Sequence, residues 1–98
     1  KLAKWSDHLI QHRKATVLKT TQWTTKSSGA PPLTNTQAVS HAREWLKNNN
    51  RADRMLYAEL HDILSMKGYS FHLVEGGNLL VVVLMDGTII PGQKVERR

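Results

Sequence analysis

Cysteine is missing altogether. Its absence excludes a disulfide scaffold, every cysteine-based zinc module and a thiol nucleophile. Aromatic residues are scarce at 6%, and the longest apolar run is Leu79–Met85. A membrane-spanning helix needs about 20 such residues, so none is expected. Acidic residues are few, 8 against 14 Lys and Arg, which leaves a formal net charge of +6. G-x-S-x-G, Walker A and G-x-G-x-x-G are all absent, and His41 with Glu44 spells H-x-x-E rather than the metalloprotease H-E-x-x-H. No enzyme and no cofactor is expected on these grounds. Lys1 to Ile10 lacks the apolar run of a signal peptide, so a cytoplasmic or nuclear location is expected. The chain opens on Lys1, as a processed product or an excised domain would.

What is present is a length for one domain and an uneven charge. The 98 residues suit one small core. Residues 1–30 hold Lys1, Lys4, Arg13, Lys14, Lys19 and Lys26 against Asp7 alone, a net +5. Residues 31–98 hold eight cations against seven acids, a net +1. A cationic arm beside a neutral body attracts polyanions. Trp5 and Trp23 lie within the arm, and indole rings among basic residues can stack on bases; buried core rings are the plainer reading.

The tract Lys26-Ser27-Ser28-Gly29-Ala30-Pro31-Pro32 divides the chain into a basic N-terminal helix and arm, 1–30, and an α+β core, 31–98, within one domain. Leu2, Trp5, Leu9 and Ile10 predict a helix over 2–14. Residues 15–25, rich in Thr and Val, read as a weak strand or an extended arm. Thr34 and Gln37 form a T-x-x-Q capping box ahead of a helix whose apolar stripe is Ala38, Val39, Ala42, Trp45 and Leu46, and Asn48-Asn49-Asn50 ends it. A third helix is predicted over 51–67 from Ala52, Met55, Leu56, Leu60, Ile63 and Leu64, with Asn50 and Asp53 at its start and Gly68 at its end. A three-stranded antiparallel meander follows: 70–75, a Gly76-Gly77 turn, 78–85, an Asp86-Gly87 turn, and 88–90. The central strand is apolar on both faces and needs both covered, from within the chain or by a partner.

The order of these elements resembles a winged helix-turn-helix, in topology and not in any family motif. The expected fold is therefore α+β and winged-helix-like: helices followed by a three-stranded antiparallel β-meander. The resemblance implies a recognition helix at 51–67, although Glu59 and Asp62 make its exposed face neutral. Residues 51–90 alone also resemble the opening of a double-stranded-RNA-binding fold, without its closing helix.

The function expected is nucleic-acid binding, DNA before RNA. Phosphate contacts fall to Lys4, Arg13, Lys14, Lys19 and Lys26, helped by Arg97 and Arg98. Trp23 is the stacking candidate, and Arg51, Arg54 and Asn49 are candidates for specificity. The alternative is a protein-interaction or assembly module that binds a partner or a second copy through the apolar sheet. His8 and His12, four apart, are too few for zinc. Glu59 and Asp62, three apart, would share a helix face as a carboxylate pair, or simply form a solvated surface.

Overall fold

A computed structural model describes residues 9–49, 56–76 and 79–92. The architecture is α+β. Among the described residues, helices α1 (Lys14–Leu18) and α2 (Asn35–Asn48) precede strands β1 (Tyr57–Asp62), β2 (Ser70–Gly76), β3 (Leu79–Leu84) and β4 (Ile89–Pro91). The strands form one antiparallel sheet in the order β1-β2-β3-β4, a simple meander.

Helix α2 begins where its capping box places it. The Thr34 hydroxyl accepts the Gln37 N–H at 3.2 Å, and the Gln37 side chain accepts the Thr34 N–H at 2.9 Å. Two orphan donors are thereby satisfied. Ala38, Ala42 and Leu46, four residues apart, are buried, and the two alanines let the helix lie close against the sheet. At the other end the Asn49 side chain donates to the Trp45 carbonyl at 2.8 Å.

The sheet separates two cores. On the helix side Val74, Val81, Val83 and Met85 meet Leu33, Ala38 and Ala42. On the far side Phe71, Leu73, Leu80, Val82, Leu84 and Ile90 meet Ile10, Val17, Ile63, Met66 and Tyr69. Both faces of the apolar β3 are thus covered within the chain, by α2 on one side and by residues 9–20 with the 63–69 loop on the other. Ile10 and Val17 are both 0% exposed, so the N-terminal segment from residue 9 onward belongs to the packed body. Each such aliphatic side chain contributes about 1.5–3 kcal/mol by leaving water.

A polar ring also enters the interior on the helix side. His72 is fully buried on β2, and its Nε2–H donates to the Leu33 carbonyl. Its Nδ1 is buried without a partner.

Several expectations are corrected. Residues 57–62 are strand, not the second half of a third helix; residues 50–55, its expected start, lie outside the described residues. The physical reason is competition between two periodicities. Leu56, Leu60 and Ile63 fit a helix, but Tyr57–Asp62 also alternates, with Ala58 and Leu60 turned toward α2. The strand form gains a ladder of six residue pairs to β2, from Tyr57↔Glu75 to Asp62↔Ser70, and takes the edge position that the apolar β2 would otherwise occupy. The sheet accordingly has four strands, not three. Among the described residues no recognition helix stands before the hairpins, so the element order of a winged helix is not reproduced, nor is the helix that opens a double-stranded-RNA-binding fold. Residues 15–25 are not a strand: α1 and a loop take their place, because Val17 buries against the sheet while its neighbours stay in solvent. Of the first predicted helix, residues 9–11 are helical, a turn at 12–13 separates them from α1, and residues 1–8 lie outside the described residues.

Candidate nucleic-acid interface

The basic segment is held to the body at two places, and its cations stay exposed. The first hold is α1. Within its single turn only Val17 is buried. Thr20 then ends the turn, its N–H and its hydroxyl both donating to the Val17 carbonyl at 2.9 and 2.7 Å. Arg13, Lys14 and Lys19 flank this anchor, and all three are exposed.

The second hold is the β1–β2 corner. The Trp23 N–H donates to the Gly68 carbonyl at 3.0 Å, and the Gln22 amide reaches the Tyr69 hydroxyl at 3.3 Å. Gly68 has φ +92°, a left-handed conformation that suits glycine. Asp62, at the end of β1, accepts the Thr25 N–H and the Thr25 hydroxyl, each at 2.9 Å, and the Ser70 hydroxyl at 2.7 Å. Partial burial raises the Asp62 pKa, but these donors and nearby Lys26 outweigh it and hold the carboxyl below its ordinary value. The clamp fixes a turn at Thr24–Ser27, closed by the Ser27 N–H on the Thr24 carbonyl at 2.9 Å, and Lys26 projects from it, exposed.

Arg13, Lys14, Lys19 and Lys26 are therefore presented on a folded segment. None makes an ion pair among the described residues, where His61 with Glu59 forms the salt bridge. The fold adds a cation that the sequence reading did not select. Lys67 is exposed and precedes Gly68, whose carbonyl receives Trp23, so it stands beside the basic segment. Its signal was Gly68, read there as a helix end and not as a docking point.

Trp23 is half-buried and packs against the helix-side core, with its indole nitrogen enclosed and unpartnered. Its ring is thus engaged by the protein. Lys4, Arg51, Arg54, Arg97 and Arg98 lie outside the described residues. Glu59 and Asp62 do not form a carboxylate pair: three apart on a strand, they occupy opposite faces, and Asp62 is taken up by Thr25 and Ser70. Among the described residues no group of three or more His, Asp or Glu is placed to hold a metal ion, and no helix is long and apolar enough to cross a membrane. No family model, curated protein or solved structure matches the chain.

Proposed function

We propose that this protein binds nucleic acid through its phosphates, using Arg13, Lys14, Lys19 and Lys26 with Lys67 beside them. The observation that carries the reading is the set of exposed cations that form no ion pair within 4 Å among the described residues, fixed on a segment that is itself anchored by Val17 and the Asp62 clamp. Cations held in place lose less freedom on meeting phosphate than cations on a loose tail. The winged-helix mode of DNA reading would need a recognition helix within 51–67, and β1 occupies the latter part of that stretch. The proposed contact is therefore electrostatic and positional, with little base reading. Arg51 and Arg54 remain candidates for any sequence preference, and Lys4, Arg97 and Arg98 for further phosphate contacts.

The test is a salt titration of the whole chain on a labelled mixed-sequence duplex and on a single strand. If the four segment cations each release a counterion, the log–log slope on duplex is at least about −3.6 in magnitude. Changing Lys14, Lys19 and Lys26 to Gln one at a time should reduce it by about 0.9 per residue while the fold persists. Failure to bind either strand form at low salt overturns the proposal. Variants are the right tool here, because removing residues 1–30 would also remove Ile10 and Val17 from the core.

A further inference from the structure

Strand β1 lies at one edge of the sheet, paired with β2 on its inner side. The bond from the Ile63 N–H to the Tyr69 carbonyl, 2.9 Å, continues the same register, so the odd-numbered residues of β1 bond inward. The backbone groups of Ala58, Leu60 and Asp62 therefore point outward, and among the described residues no backbone group bonds them. Natural edges are normally blunted by lysine, proline or a bulge. Tyr57–Asp62 has no lysine or proline, and its pairing with β2 is unbroken.

We infer that this edge pairs with the same edge of a second copy of this chain, antiparallel about a twofold axis at Leu60, through complementary Glu59 and His61. The choice of occupant follows from register. With Leu60 opposite Leu60 of the partner subunit, Glu59 stands opposite the partner's His61, and by symmetry His61 opposite the partner's Glu59. Both residues lie on the far face, where Glu59 already meets His61 at 3.1 Å and the imidazole stacks on Phe71 at 5.6 Å between centroids. An axis one residue earlier would set Glu59 against the partner's Glu59. An axis one residue later would set His61 against the partner's His61, and an axis at Ala58 would set Glu59 against the partner's Tyr57. One register sets the Glu59 carboxylate against the partner's imidazole, twice over.

The same register suits the helix side. Ala58 would face the partner's Asp62, next to an open groove of 490 Å³ lined by Asn35, Thr36, Val39, Ser40, Arg43 and Ala58. Arg43 is the one cation in that lining, while each Asp62 carboxylate stays with Thr25 and Ser70 of its own chain. The half-buried Leu60 would meet its own copy. The outward groups of Ala58, Leu60 and Asp62 would exchange about six backbone hydrogen bonds with the partner.

The experiment is sedimentation of the whole chain over a concentration series, with hydrogen exchange at the Ala58 and Leu60 amides. Expected are a shift from monomer to twice the monomer mass and a matching slowing of exchange at those two amides. Glu59→Lys should weaken the dimer by about tenfold or more, since symmetry counts each lost cross-strand pair twice. The exchange of both residues, E59H with H61E, should restore it, because the pairs remain complementary in this register. Both side chains lie outside the core, so circular dichroism should show an unchanged fold. A chain that stays monomeric wherever it is soluble overturns the inference. So does a dimer indifferent to Glu59→Lys, or one that the double exchange leaves as weak as the single variant.

Discussion

His72 is a titratable group set fully inside the protein. Leu60 and Val83 are its cross-strand neighbours, and Leu33 supplies its acceptor. Burial lowers its pKa from the ordinary 6.5, and the Leu33 carbonyl offsets part of that. Protonation would place a second N–H on Nδ1, which has no acceptor. Because the folded pKa lies below the unfolded value, the unfolded chain takes up the proton first as acidity rises. Stability contributed by neutral His72 is complete above about pH 6.5 and is lost as pH falls through the folded pKa. Melting temperatures measured from pH 7.5 downward should decline through this window, and His72→Phe should flatten that part of the curve. A wild-type curve that is flat there would remove His72 as a cause of acid sensitivity. The sequence marked strand alternation at this residue, but nothing in it identified the Leu33 carbonyl, 39 residues away, as its partner.

At the scale of elements, local chemistry was legible and long-range competition was not. Thr34 and Gln37 fixed the start of α2, and Asn49 its end, through hydrogen bonds made within a few residues. Asp86-Gly87 fixed the turn into β4: Gly87 has φ +91°, and a Cβ there would come within 3.0 Å of the His41 ring on α2. Replacing Thr34 with Ala should cost about 1 kcal/mol, read as a lower denaturant midpoint with an unchanged slope. Loss of the box would leave the α2 boundary visible as faster amide exchange near Gln37. The helix predicted over 51–67 failed because its decisive partner, β2, lies beyond it in sequence. Leu56 and Leu60 are apolar in either form, and a β2 buried on both faces selects the strand. For the candidate site the identity of the cations was legible and their placement was not. Lys67 joins them through a backbone bond from Trp23, which no pattern of side chains announces.

The whole molecule is a sheet wrapped from both sides by its own preceding chain. Composition pointed to an arm of net +5 beside a neutral body; the structure shows that Ile10 and Val17 of the arm complete the far-side core. Truncating Ile10 to Ala should destabilise the protein by about 2–5 kcal/mol, as for any well-packed core position. Urea unfolding checks this, and a negligible shift would mean that the segment rests on the sheet without supporting it. The proposed phosphate contacts and the stability therefore share one stretch of chain: its outward side chains carry charge, its inward ones carry packing.

That arrangement has a consequence in time. The strand most prone to stick to other chains, Leu80–Met85, is among the last parts of this sequence to leave a ribosome, while both of its covers, residues 9–20 and α2, are among the first. During synthesis the shelter is already outside when the hazard appears, and the two need only meet. A chain diluted from denaturant has no such head start, for all its parts become available to its neighbours at once.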